Sequence, residues 1–413
     1  MNILFISHYA GSPDMGMVFR PYYFAKEWIR LGHSVTIITS SFTHIRKTNP
    51  SVLHDFEESK IDGITYVWIK TPQYRKTFGR VFNIFTFVFK LKSKVKQIAE
   101  KYHPNIVISS STYNFDIFSA IKIARYSNAK LVYEVRDLWP LTPIELGGYS
   151  KYHPFIILMQ YAENTAYKKA DSVVSVLPVV HEYMKNHGLD LKKLLILPNG
   201  ILTDMWLDSC ISSDSISSDI RLCYEIQKEI GNIIVGYIGS FGKMYSLDAF
   251  IEAAYILKEK KVGFMLVGSG EQYSSLIEKV KSYDLKNVFI FEPIEKSHIP
   301  LLLSLFDIGY VGFLYKNLFR FGVSPNKMMD YMMAGKPIIN AIKAGNDPVM
   351  NADCGITVEP ENPKAIADGI LKLAALSPEA RDEMGRRGRD YILKNQTYDI
   401  LAKNFLDFVT KDN

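Results

Sequence analysis

The feature that most constrains this chain is a rhythm of short β-branched and aromatic runs, each ending in a small-residue loop and followed by a helical pattern. Met1 to Ser7, VTIITS, NIVISSS, KLVYEV, SVVSVL and LLILPNG form one series, and NIIVGYIGSFG, GFMLVGSG, NVFIFEPI, IGYVGF and KPIIN form a second. Near-continuous apolar strands alternating with helices imply a parallel sheet covered on both faces. Each series is therefore expected to build its own doubly wound α/β domain. In such sheets ligands bind beyond the carboxyl ends of the strands, so the loops carry the chemistry.

Pro198, Asn199 and Gly200 break the pattern, and the Ser/Asp-rich stretch from Ile201 to Asp219 is weakly patterned. This gives a first domain over 1–200, a linker over 201–230, a second domain over 231–390 and a C-terminal helix over 391–413 that runs back over the first. With 413 residues, 47% hydrophobic and 22% charged, the chain can bury two large cores. No stretch reaches the roughly 18 uncharged apolar residues of a spanning helix. The start, MNILFISHYAGS, lacks a basic segment before its apolar run and reads as a first strand rather than a signal peptide. Cys210, Cys223 and Cys354 are few, odd in number and without metal-like spacing, so a reducing cytoplasm and no zinc are expected. A net charge of +6 favours anionic partners. No nucleic acid is expected among them.

The strongest chemical signal is RFGVSPNKMMDYMMAGKPIIN, Arg320 to Asn340. Ser324 reads as an N-cap, Pro325 as the first helical residue and Gly335 as the residue past the end. The first turn leaves the N–H groups of Asn326 and Lys327 without helical partners at the positive end of the macrodipole, which suits an anion. Lys327 adds a cation. Asp330 follows on the same face, about 4.5 Å along the axis, where its carboxylate can accept from sugar hydroxyls. The bland alternative is a core helix filled by Met328, Met329, Met332 and Met333, with Lys327 and Asp330 as a solvated ion pair. Upstream, the first strand of the second series runs into Gly239 and Gly242 with Lys243 next, and GFMLVGSGEQY repeats the pattern with Gly268, Gly270 and Glu271. Glycines there let a backbone approach phosphate closely.

In the first series the loop with Gly11 and Gly16 lacks a GxGxxG pattern, which argues against a dinucleotide. Arg20, just past it, is positioned for an acceptor phosphate, with a surface arginine as its bland alternative. Glu134, Arg136 and Asp137 fall at the carboxyl edge after KLVYEV. From Arg75 to Lys101 the composition shifts: Phe78, Val81, Phe82, Phe85 and Phe89 recur at helical spacing, with Lys90, Lys92, Lys94 and Lys96 among many cations and Glu100 as the single acid. Such a helix suits an anionic membrane surface, the alternative being an internal helix with a solvated basic end.

With these motifs in view the chain resembles a GT-B glycosyltransferase of the large retaining family 4, most similar to bacterial enzymes of O-antigen, capsule or exopolysaccharide assembly. The resemblance runs through VRDLWP, ILPNG, GYIGSFG, LVGSGEQ and SPNKMMDYMMAGKP. It implies two Rossmann-like domains facing across a cleft, the first for the acceptor and the second for a nucleotide sugar, most commonly a uridine diphosphate sugar. The donor contacts it implies are Gly239, Gly242, Lys243, Gly270, Glu271 and Ile294, then Arg320, Ser324, Pro325, Asn326 and Asp330, the last toward ribose. Acceptor contacts are expected at Gly11, Gly16 and Arg20, and catalytic roles at Arg136, Asp137 and Lys327. The family pairs two acids eight residues apart, but Gly322 stands where the first should be. Ser240 and Tyr245 stand where relatives carry arginine and lysine. No D-x-D occurs, so metal-independent transfer without cofactor is expected. The implied acceptor is a polyprenyl diphosphate-linked saccharide or other glycan, and the implied location is the inner face of the cytoplasmic membrane. The rivals are a nucleotide-sugar 2-epimerase and an inactive membrane-bound scaffold of a polysaccharide assembly complex.

Overall fold

The structure, a computed structural model, describes residues 1–16, 19–207 and 216–411. Cys210 and part of the expected linker lie outside these residues. The chain divides into two compact units, Met1–Asn199 with Tyr398–Asn413, and Gly200–Thr397.

The first unit holds an eight-stranded sheet ordered β3-β4-β2-β1-β5-β6-β7-β8. Its strands are β1 (Asn2–Ile6), β2 (Ser34–Ser40), β3 (Glu57–Ile61), β4 (Ile64–Ile69), β5 (Ile106–Ser109), β6 (Lys130–Val135), β7 (Ser172–Ser175) and β8 (Leu194–Ile196). All neighbours are parallel except β3 and β4. That pair is an edge hairpin outside the alternating rhythm. Asp62 and Gly63 close it at φ of 50° and 82°, the positive values a two-residue hairpin turn requires. Four helices before β6 matter here: α1 (Arg20–Arg30), α2 (Thr77–Ser93), α3 (Val95–Tyr102) and α4 (Ile117–Ser127). Phe24 and Trp28 of α1 meet Tyr398 and Phe405 of the last helix, Tyr398–Thr410, and the Trp28 indole N–H donates to Ala402 O at 3.1 Å. The expected single terminal helix is broken after Pro378–Asn395. Gln396 O accepts from the Ile201 N–H at 2.9 Å and Thr397 bridges Ile201, so these two residues serve a strand contact instead of a helix.

The basic aromatic stretch is two helices, α2 and α3, joined at Lys94. It is amphipathic in a different register from the expected one. Asn83, Ile84, Phe87 and Leu91 face the core, while Phe78, Phe82 and Phe89 are 84%, 61% and 62% exposed. Phe85 turns inward instead, stacking on Phe115 at 5.6 Å, because aromatics occupy nearly every face of α2 and the core takes the nearest. The cations divide too. Lys90 pairs with Asp55 at 2.9 Å and Lys96 with Glu100 at 3.7 Å, whereas Lys92 and Lys94 have no carboxylate within ion-pair distance among the described residues. Phe155, at the start of the neighbouring helix Pro154–Lys169, packs against Phe85, and that helix exposes Ile157, Leu158 and Tyr161. Among the described residues no helix is long and apolar enough to cross a membrane.

The second unit holds a parallel six-stranded sheet ordered β11-β10-β9-β12-β13-β14. The strands are β9 (Ile233–Ser240), β10 (Val262–Ser269), β11 (Val288–Phe291), β12 (Ile308–Gly312), β13 (Ile338–Ala341) and β14 (Gly355–Thr357). Successive residues of β9 feed opposite cores: Val235 and Tyr237 join Phe250, Phe264 and Tyr310, and Ile234 and Ile238 join Phe306 and the methionines of Asn326–Met333. Burying one such large side chain stabilises by roughly 1.5–3 kcal/mol. The helix Ser218–Glu229, read as linker, belongs to this unit, with Ile220 only 1% exposed. The unit also runs to Thr397 rather than residue 390.

Candidate active site

The helix Asn326–Met333 starts one residue later than its sequence suggests. Pro325 is the N-cap, with ψ of 126°, and no side chain caps the helix. Ser324 lies before it, outside the helix. Met328, Met329, Met332 and Met333 are all buried, as the bland reading holds, yet Lys327 and Asp330 do not form the solvated pair that reading requires. The Tyr331 hydroxyl accepts from the Ile238 N–H at 2.9 Å, which locks the helix against the end of β9.

That lock sets Lys327 beside the glycine loop. Its ammonium donates to the Tyr237 hydroxyl at 2.5 Å and lies 4.0 Å from the Tyr237 ring centre and 3.8 Å from that of Tyr245. A Cβ on Gly239 would stand 3.2 Å from Nζ, and the Gly239 φ of +130° is open only to glycine. Burial pushes the Lys327 pKa down to about 7, with Asp330 opposing the shift. No carboxylate lies within ion-pair distance of it among the described residues. Asp330, half-buried and without a hydrogen-bond partner among them, is pushed up to about 6 by burial, against the pull of Lys296 and Lys327. The site therefore holds a cation and a carboxylate whose charges are desolvated and unspent.

Two loops close around Gly239. Phe241 N–H donates to Ser269 O at 2.8 Å and Gln272 N–H to Phe241 O at 2.9 Å. A Cβ on Gly270 would fall 2.7 Å from the Phe241 carbonyl carbon, so glycine is needed for this approach. Glu271 is already engaged, one carboxylate oxygen accepting from the Lys243 N–H at 3.1 Å. The Lys243 side chain is exposed beside a depression of about 420 Å³ that it lines with Ser246, Asp248, Glu252, Gln272 and Glu361. Arg320 is exposed, donating to Asn317 O at 2.8 Å and lying 4.3 Å from the Phe321 ring centre. Ile294 packs on the core, and Gly242 precedes the turn Lys243–Tyr245. Gly322 has φ of +94°, and Asn346 clamps the next residue through Val323 N and O at 2.8 and 3.0 Å. A glutamate there would be strained, which is a backbone reason for the missing acid.

In the first unit the expected acceptor cation is corrected. Arg20 is 3% exposed: Nε pairs with Glu134 at 2.9 Å, and its other nitrogens donate to Leu197 O at 2.9 Å and Pro198 O at 2.7 Å. It ties α1 to β6 and to the chain after β8. Glu134 also accepts from the Ser110 hydroxyl at 2.5 Å. Gly11 is buried, its carbonyl accepting from the Tyr66 hydroxyl, and Gly16 ends a 3-10 turn against Lys47. Arg136 and Asp137 do follow β6 at the carboxyl edge, half-buried and exposed respectively. Sequence reading missed Tyr237, Lys296 and Asn346, and took Tyr245 only as the residue at a position where relatives carry lysine. A tyrosine inside a strand reads as core, and nothing local in the sequence pairs Asn346 with Val323.

Residues 232–375 match the family model described as Glycosyl transferases group 1, and residues 16–204 that of Glycosyltransferase Family 4. The chain is 21% identical to WcaI of Escherichia coli strain K12, named for colanic acid biosynthesis as a glycosyl transferase, across 85% of this chain and 86% of that one. It shares its fold with sucrose-phosphate synthase of Thermosynechococcus elongatus at 15% identity, covering 98% of this chain and 97% of that one with a TM-score of 0.70. It likewise matches Anabaena HepE, solved with UDP and glucose, at 14% identity over 100% of both chains with a TM-score of 0.66. Two doubly wound domains of this kind are the GT-B architecture. The chain thus carries a Glycosyltransferase Family 4 domain followed by a Glycosyl transferases group 1 domain.

Proposed function

We propose that the protein transfers a sugar, hexosyl or acetamidohexosyl, from a uridine diphosphate donor to a polyprenyl diphosphate-linked saccharide during assembly of a bacterial surface polysaccharide. The observation that carries the donor site is Lys327, held between Tyr237 and Tyr245 against Gly239 with the unpartnered Asp330 one turn on. Lys327 and the free N–H groups of Asn326 and Lys327 receive the diphosphate, while Asp330 accepts from the ribose hydroxyls. HepE was solved with UDP and glucose, which supports uridine, and the name of WcaI supports a polysaccharide product.

The reaction breaks the bond between the anomeric carbon and the leaving diphosphate oxygen as the acceptor hydroxyl oxygen bonds to the same carbon. Negative charge grows on the diphosphate, and a preorganised cation with backbone N–H groups lowers that barrier. We assign retention of configuration, with attack from the leaving-group side and the acceptor proton passing to the departing phosphate. Arg136 and Asp137 are assigned to the reacting sugar. Transfer is proposed to need no metal. The exposed Phe78, Phe82 and Phe89 of α2, the unpaired Lys92 and Lys94, and the neighbouring Ile157, Leu158 and Tyr161 support docking on an anionic membrane face.

The test is thermal shift and transfer with UDP-sugars in excess chelator. Wild type is expected to be stabilised by UDP and to remain active, while Lys327→Ala and Asp330→Ala lose both responses. UDP stabilisation unaffected by either change would overturn the donor site, and loss of wild-type transfer in chelator would overturn the metal-free reading.

A further inference from the structure

Arg20 leaves the first unit without its expected anion-binding side chain, but the same sheet edge holds another cation. Arg80, in the first turn of α2, is half-buried and has no carboxylate within ion-pair distance among the described residues. Its Nε lies 3.4 Å from the Tyr9 hydroxyl, and its guanidinium carbon is 5.7 Å from the Tyr9 ring centre and 6.0 Å from that of Trp139. His44 and Tyr74 extend the cluster, joined by a 2.6 Å hydrogen bond between Nδ1 and the hydroxyl, with the His44 ring 6.5 Å from Tyr9. These residues follow β1, β2, β4 and β6, so they collect at the carboxyl edge where a doubly wound sheet takes its ligand. His8 beneath them is buried and held neutral, its pKa pushed down to about 3 by burial and by Arg46.

The contrast with Arg46, buried at the same edge, is chemical. Arg46 is saturated by Ala10 O, Ser40 O and the Thr39 hydroxyl. Among the described residues the Arg80 guanidinium meets the Tyr9 hydroxyl and the rings of Tyr9 and Trp139, with no carboxylate or carbonyl acceptor, so its paired N–H groups stay open to a bidentate anion. Tyr9, 2% exposed, backs Arg80 from the core, while the half-buried Trp139 offers a flat face of the kind a sugar ring packs against. Two residues either side of Arg80, Phe78 and Phe82 are 84% and 61% exposed. Lying two residues away on a helix, they project from the face of α2 opposite Arg80, whose own face continues into the buried Ile84, Phe87 and Leu91.

We propose that Arg80, framed by Tyr9, His44, Tyr74 and Trp139, binds a phosphate attached to the acceptor, so that the protein selects phosphate-bearing acceptors over neutral glycans. The assignment rests on the glycosyltransferase reading above and names the acceptor chemistry within it. A lipid-linked diphosphate and a free sugar phosphate both satisfy that chemistry, and the arms of the test separate them.

The test titrates full-length protein, saturated with UDP so that the donor site is filled, with geranyl diphosphate, inorganic pyrophosphate or octyl glucoside. Wild type is expected to bind geranyl diphosphate. Arg80→Gln weakens that binding about tenfold or more, Arg80→Lys less, and neither changes UDP affinity. Tighter binding of geranyl diphosphate than of pyrophosphate, with both falling in Arg80→Gln, supports a lipid-linked source. Equal binding with the same fall supports a free phosphate. The proposal is overturned if wild type ignores both diphosphates, if Arg80→Gln binds them as wild type does, or if octyl glucoside binding falls as much as theirs. A near-UV circular dichroism spectrum and urea transition matching wild type in each variant show that the first unit is folded, and failure of wild type to bind UDP would break the donor reading instead.

Discussion

Arg20 in the first unit and Lys327 in the second both lie at the carboxyl end of a parallel sheet and both are substantially removed from water, yet they are satisfied differently. Arg20 has a carboxylate and two backbone carbonyls. Lys327 has one hydroxyl and two aromatic faces. A buried cation whose donors are met by fixed acceptors is part of the scaffold, because removing it strands Glu134. A cation held only by neutral groups keeps most of its desolvated charge for a ligand. The same distinction separates Arg46 from Arg80.

The comparison can be broken by substitution. Arg20→Ala should lower stability in urea by about 3–5 kcal/mol, because it leaves a buried carboxylate unpaired. Where the variant is folded, its UDP affinity should be unchanged. Lys327→Ala should do the reverse: kcat/KM falls on the order of 10²–10³, and the urea midpoint stays or rises. If Lys327→Ala proved as destabilising as Arg20→Ala, the distinction would be lost. Lys92→Glu with Lys94→Glu should weaken flotation with anionic vesicles by more than about 2 kcal/mol, since each lysine lost counts for ~1 kcal/mol and each new carboxylate adds repulsion. Lys96→Glu, whose partner is Glu100, should weaken it less. Gly322→Glu restores the acid found in relatives but should cost about 1 kcal/mol in the same urea measurement, with no gain in transfer.

The smallest effect is on pH, and it sharpens the role of charge. With Lys327 near 7 and Asp330 near 6, the cation and the carboxylate are both charged best between those values. UDP affinity by calorimetry should fall as pH rises through about 7 and as it drops through about 6, and Lys327→Arg should remove the alkaline fall. Stability follows its own sign. Between about 7 and 10.5 the folded state binds fewer protons than the unfolded one at Lys327, so this lysine makes stability rise with pH there. Between 3.8 and about 6 the folded state binds more at Asp330, so Asp330 makes stability fall as pH rises. Asp330→Asn should therefore be more stable than wild type at pH 7, even though it binds UDP less well.

Much of the architecture was legible because strands buried on both faces must be continuously apolar, and the Pro, Asn and Gly at residues 198–200 mark where the first unit ends. The β3–β4 hairpin was missed even though Asp62-Gly63 is a strong local turn signal, since the edge strand EESKI carries no apolar alternation. The start of the Asn326–Met333 helix was read one residue early because Ser-Pro fits a cap equally well at either position. In α2 the presence of an amphipathic helix was readable but its inward face was not, since phenylalanine recurs on every side.

Local sequence alone determined the two strand and helix series, the loops at which their chemistry would gather, and Lys327 with Asp330 one turn apart. Those follow from short-range backbone preferences and the periodicity of burial. Only the tertiary structure decided that Arg20 is spent and Arg80 is not, and that tyrosines at 237 and 245 enclose a lysine some ninety residues on in a different element. A charge acquires its role from its acceptors, and the carboxylate that claims Arg20 lies 114 residues away along the chain. No local pattern encodes which distant acceptor will arrive.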